Sequence, residues 1–123
     1  MIFDLDRDGD LDIVTNEFNT APMVLLSDLA QRKAVQRVEV TLQGVKSNRD
    51  GLGAVVTVTA GGASQTKVMD GASGYLSHSV APLYFGLGTA TRVDSIDVKW
   101  PSGTTQQLRA PVIENSRITI VER

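Results

Sequence analysis

The run Asp4-Leu5-Asp6-Arg7-Asp8-Gly9-Asp10-Leu11-Asp12 places five of the chain's fourteen acidic residues in nine positions. Carboxylates at alternate positions, with a glycine after the third, are what a hard cation asks of a short loop. Calcium takes about six to eight oxygens, and a sharp turn must fold successive side chains back onto one point. Without a cation, five like charges this close repel one another. In this reading Asp4, Asp6 and Asp8 supply the first three side-chain ligands and Gly9 allows the tight backbone. Asp10 offers its carbonyl, and Asp12 closes the sphere directly or through water. The competing reading is an acidic surface turn.

The same spacing begins an EF-hand, and there the comparison fails. That loop needs a glutamate at its twelfth position, which here is Thr15. It also needs flanking helices, whereas Ile13-Val14-Thr15 is β-branched and strand-like. A calcium loop between strands is the better reading. After Met1 only two apolar residues, Ile2 and Phe3, precede the loop, so the chain is expected to be a C-terminal piece of something longer. Residues 13–16 and 22–27 then read as short strands, and 30–34 as a polar, basic linker.

Beyond the linker the pattern is β throughout. Val38, Val40 and Leu42 alternate with Glu39 and Thr41, the period of a half-buried strand. Residues 54–60 form a strongly β-branched run, Gly61-Gly62 is a two-residue hairpin turn, and 65–69 return. Ile96, Val98 and Trp100 alternate with Asp97 and Lys99, which makes Trp100 a core residue. Pro101-Ser102-Gly103 is a turn signal, residues 105–108 pair back, and 117–121 form a last strand. Short strands with Gly-rich turns predict an antiparallel β-sandwich or partly closed barrel. The division expected is 1–34 for the loop, its strands and the linker, and 35–123 for the β domain.

The bulk properties exclude several classes. A chain of 123 residues holds one domain with a core and part of another. There is no apolar stretch of membrane-span length and no signal-peptide architecture. The net charge of −2 is local to the loop: from Ile13 onward basic residues outnumber acidic ones, eleven to nine. Nothing there has the clustered Lys and Arg of a nucleic-acid footprint. Cysteine is absent, which removes disulfides and thiolate chemistry. Calcium is abundant outside cells and scarce in cytosol, so the expected setting is secreted, periplasmic or cell-surface.

Several blocks carry a resemblance to known families. Residues 4–16, followed by Pro22 and Leu25-Leu26, resemble the end of an FG-GAP/VCBS repeat, the unit of β-propeller blades in surface proteins. Four later blocks resemble the ASPIC/UnbV domain that follows such repeats: Gly44-Val45-Lys46-Ser47-Asn48-Arg49-Asp50-Gly51-Leu52-Gly53-Ala54, Gly71-Ala72-Ser73-Gly74-Tyr75-Leu76-Ser77, Phe85-Gly86-Leu87-Gly88 and Val98-Lys99-Trp100-Pro101-Ser102-Gly103. The arrangement is similar to the C-terminal part of the cartilage acidic protein family and to proteins encoded beside enediyne biosynthesis genes. The resemblance implies an exported, calcium-binding, non-catalytic module whose ligand is a protein or a carbohydrate, and which contacts further propeller blades. Two rivals are a structural cap on the propeller and an accessory protein or enzyme of natural-product biosynthesis. A propeller needs several blades and this chain holds part of one. Calcium is therefore expected to bind the longer parent well and this chain weakly or not at all.

Within the β domain two places stand out as ligand-binding candidates. Asn48-Arg49-Asp50 lies between strands; Asn48 and Asp50 can cap the loop through bonds to backbone amides, or Arg49 and Asp50 can face a sugar or an acidic ligand. Tyr75, on a Gly/Ser-rich loop, can stack on a sugar ring or plug one end of the sandwich. His78 is the only histidine. Adjacent residues of an extended strand point to opposite faces, so Ser77 and Ser79 are poorly placed to use it as a base. Asp50, Asp70, Asp94 and Asp97 are the carboxylates that could meet across strands. No enzymatic activity is expected.

Overall fold

The alternation at Val38, Val40 and Leu42 becomes one face of a strand that enters the core, while of the intervening residues Thr41 is half-buried and Glu39 is buried. A computed structural model describes residues 1–72, 78–109, 112–113 and 115–123. The chain divides into two compact units, Met1–Val35 and Gln36–Arg123.

The first unit contains three strands, β1 (Ile2–Phe3), β2 (Asp12–Thr15) and β3 (Met23–Leu25), in the order β1-β2-β3. Both pairings are antiparallel. The stretch read as a linker instead contains a single helical turn, α1 (Leu29–Arg32). Leu, Ala, Gln and Arg are all good helix formers, and Arg32 pairs with Asp28 one turn back at 2.6 Å.

The second unit runs through β4 (Arg37–Gln43), β5 (Val55–Ala60), β6 (Ala63–Val68), β7 (Leu83–Gly86), β8 (Arg92–Val93), β9 (Ser95–Lys99), β10 (Thr105–Leu108), β11 (Val112–Ile113) and β12 (Ser116–Val121). They assemble as a four-stranded sheet β10-β9-β5-β6, a three-stranded sheet β12-β4-β7 and the short pair β11-β8. Gly61 and Gly62 make the β5–β6 turn with φ of 55° and 80°, the doubly positive geometry that matches the twist of a hairpin. The fold is an all-β sandwich. Val56, Val58, Ile96 and Val98 from the larger sheet share one core with Val38, Val40, Phe85 and Ile120 from the smaller, and Trp100, 1% exposed, lies among them.

One pairing differs from the antiparallel expectation: β12 runs parallel to β4, in register from Ser116↔Val38 to Val121↔Gln43. Parallel neighbours need a long crossover connection, and here β5 to β11 supply it. Among the described residues no sheet closes into a barrel. Instead, glutamines bridge the two long sheets at their edges. Gln65 on β6 donates its amide to the Gly86 carbonyl of β7. At the other side, Gln106 on β10 donates to the Val121 carbonyl of β12 at 3.1 Å and accepts from the Trp100 indole at 3.3 Å. Unpaired strand edges invite association with other chains, and these side chains occupy part of each edge.

The core argument has a direct check. Phe85→Ala empties a fully buried site and should cost about 3–5 kcal/mol in urea unfolding. Val45→Ala, at a side chain 67% exposed, should stay within about 0.5 kcal/mol of the parent.

Candidate functional site

The acidic run folds into a loop in which the five aspartates divide into two groups. Asp4, Asp6 and Asp8 each bring a carboxylate oxygen within 4.8 Å of the others. The backbone reaches this arrangement through left-handed residues at Arg7 (φ 66°) and Gly9 (φ 109°). Only the glycine adopts that region without steric cost. The Asp8 amide donates to Asp6 Oδ1 and the Asp10 amide to Asp8 Oδ1, each at 3.1 Å, so these carboxylates hold the turns of the loop.

Asp10 and Asp12 are buried and their side chains serve the backbone. Asp12 accepts the Leu5 amide at 2.8 Å and the Ser27 amide at 2.9 Å. The amides of Ser27 and Leu5, against the opposing push of burial, hold its carboxyl below the ordinary range. Asp10 Oδ2 accepts the Ala30 amide at 2.7 Å, while its Oδ1 is buried without a hydrogen-bond partner. Through Oδ1 Asp12 ties the loop to Ser27, after β3, and through Oδ2 it holds Leu5 within the loop.

In the second unit the best-defined polar site is built around Glu122, which sequence reading passed over. Glu122 is 3% exposed, and its amide continues the β12–β4 ladder by donating to Gln43 O at 2.9 Å. One carboxylate oxygen, Oε2, accepts the amides of Val45, Lys46 and Ser47 at 2.8, 2.7 and 2.7 Å. The other, Oε1, accepts the Ser47 hydroxyl at 2.9 Å and the Ser102 hydroxyl. The Ser102 amide in turn donates to Ser47 Oγ at 3.1 Å. A signal for this site exists in the sequence. Ile118 and Ile120 alternate inward on the last strand, and Glu122 is the next residue on that face; an acid in such a position must find donors.

The loop that supplies those donors is shaped by its own residues. Asn48 caps it: its side chain accepts the Asp50 amide at 3.0 Å and its carbonyl accepts the Gly51 amide at 2.8 Å. A β-carbon at Gly44 would stand 2.1 Å from Asn48 O, and one at Gly51, already at φ 69°, would stand 2.6 Å from Leu42 Cβ. Both positions therefore need glycine. Arg49 and Asp50 pair loosely at 3.5 Å on the surface, beside a depression of about 330 Å³ that Thr41, Gln43 and Thr119 also line.

Tyr75 lies outside the described residues, within 73–77. On either side of that segment, Asp70, Gly71, Ala72 and His78 line a cleft of about 540 Å³ together with Leu52 and Met69. The carboxylates considered for catalysis each have a local partner. Asp70 accepts the Ala72 amide at 2.8 Å, Asp97 accepts the Gln107 side-chain amide, Asp94 lies 3.8 Å from Arg92, and Asp50 faces Arg49. Glu39, 5% exposed on the outer face of β4, sits between Arg37 at 3.2 Å and Arg117 at 2.7 Å.

The second unit is thus a β-sandwich in which the loop between β4 and β5 closes on an acid just past the last strand. Residues 44–123 match the family model described as ASPIC and UnbV, and the chain belongs to that family. A comparison with curated proteins gave no match. Among the described residues, no helix is long and apolar enough to cross a membrane.

The Glu122 contacts make stability depend on pH. Burial alone would raise its carboxyl; the Ser102 hydroxyl, the Ser47 and Val45 amides and the Ser47 hydroxyl outweigh it and bring it from 4.5 to about 2. The unfolded chain therefore takes up this proton first on acidification. The contribution is complete above pH 4.5 and is lost as pH falls from there toward 2. Urea midpoints of the parent should drop across that window, and Glu122→Gln should flatten this part of the profile.

Proposed function

We propose that this chain is a non-catalytic, calcium-associated binding or adhesion module working outside the cytosol, with residues 1–34 forming part of an FG-GAP/VCBS-type repeat. The observation that carries the calcium reading is the convergence of Asp4, Asp6 and Asp8. Their oxygens lie within 4.8 Å of one another, about twice a calcium–oxygen distance of roughly 2.4 Å, so all three can share one ion. The donor set is entirely oxygen, as a hard cation prefers. The same loop also carries the partnerless buried oxygen of Asp10. Calcium would neutralise the cluster and fix the strand connection there.

The ligand is a protein or a carbohydrate. Support comes from the exposed Arg49–Asp50 pair beside its polar depression, which offers a cation and a carboxylate to hydroxyls or to charged side chains. A second reading, a packing role against further repeats, is favoured by a separate observation. Ile2, Ile13 and Leu25 are cross-strand neighbours over all three strands of the first unit and are 60%, 41% and 47% exposed. Contiguous apolar surface of this kind marks a contact face. Replacing Ile13 and Leu25 with threonine should lower binding of a hydrophobic dye, and unchanged dye binding would count against that face.

Calcium titration followed by amide NMR tests the main reading. Shifts should be confined to residues 4–16 and saturate at about millimolar calcium or above, and Asp6→Asn should abolish them. The absence of any shift in that range, or shifts that persist in Asp6→Asn, would remove calcium from the function of this chain.

A further inference from the structure

The loop that surrounds Glu122 is assembled as a receptor. Its donors are positioned by contacts that do not involve the glutamate: Gly44 N to Arg49 O at 2.9 Å, the Asn48 cap, and the Pro101–Gly103 turn held by Gly103 N to Trp100 O at 3.0 Å. Three amides converge on one oxygen and two hydroxyls on the other. A carboxylate has about four lone-pair directions, so these donors use its acceptor capacity fully. Successive backbone amides aimed at one point form an anion-binding concavity. The two-point division, amides on one oxygen and hydroxyls on the other, fits a planar carboxylate and not a spherical ion.

We propose that residues 44–47 with Ser102 form a carboxylate-binding site whose resident ligand is Glu122, and that the site accepts a small free carboxylate when that side chain is removed. In Glu122→Ala, five donors face a space the size of the lost carboxylate. Leaving buried donors unmet is costly, and that cost drives an anion into the site. Formate supplies the same two oxygens with no carbon beyond the carboxyl itself. Occupancy couples to stability by mass action, because the converging donors exist only in the folded state.

The experiment follows thermal unfolding of the full chain in sodium formate against sodium chloride at equal ionic strength. Glu122→Ala should melt lower than the parent by about 5 °C or more, and formate should restore at least half of that loss along a saturating curve. Glu122→Gln fills the space with a neutral group and should gain nothing from formate beyond chloride. Adding Ser47→Ala to Glu122→Ala should remove most of the rescue. If Glu122→Ala is unfolded in chloride, the readout becomes recovery of a dispersed amide spectrum on addition of formate. The proposal is overturned by equal effects of formate and chloride, by an equal gain in the parent, or by a variant that stays unfolded in formate. It is also overturned if the Glu122 carboxyl of the parent, followed by carbon NMR, titrates at 4.5 and not near 2.

Discussion

A carboxylate at the inner edge of a β-sandwich is tolerated only when donors replace the water it has lost, and much of the second unit's loop architecture answers that demand. Residues 45–47 and Ser102 meet at Glu122, which links the loop after β4, the turn before β10 and the end of β12 in a single cluster. Gly44 and Gly51 are needed because the loop must pass close to its own carbonyl at Asn48 and to Leu42. The turn that follows Trp100 is held to this cluster through Ser102, and the Trp100 indole is held by Gln106.

The first unit applies the same chemistry. Asp12 captures the amides of Leu5 and Ser27 as Glu122 captures those of the long loop. In both places an acid organises irregular backbone by accepting amides that no strand satisfies. Burial separates the acids of the run. Asp10 and Asp12 are buried and bond amides beyond their own turn. Asp6 and Asp8 are exposed, hold the turns within the run, and with Asp4 bring carboxylate oxygens within 4.8 Å of one another.

Periodicity made the sandwich legible. Inward alternation at Val38 to Leu42 and Ile96 to Trp100, and the Gly61-Gly62 turn, are local signals with one physical meaning each. The strand β7 was less visible because Phe85-Gly86-Leu87-Gly88 reads first as a glycine motif. Its strand character comes from pairing with β4, which lies more than forty residues earlier. The single turn at Leu29–Arg32 was hidden by a composition equally suited to a linker. The parallel placement of β12 was not readable, since residue alternation is the same in either direction. The candidate sites divide similarly. The acidic loop announced itself by spacing, whereas Glu122 is one acid among fourteen and gains its meaning from partners about seventy-five residues away.

The parallel contact between β12 and β4 joins residues 78 positions apart. Contacts of such long range slow folding, because a large loop must close before they contribute. As the chain is synthesised, β4 therefore emerges long before its parallel neighbour exists, with one edge open and its apolar face partly uncovered. The unit can complete its core only after the segment bearing Glu122 has been made, so this acid acts late, fixing the earlier loop and turn as the last strand docks.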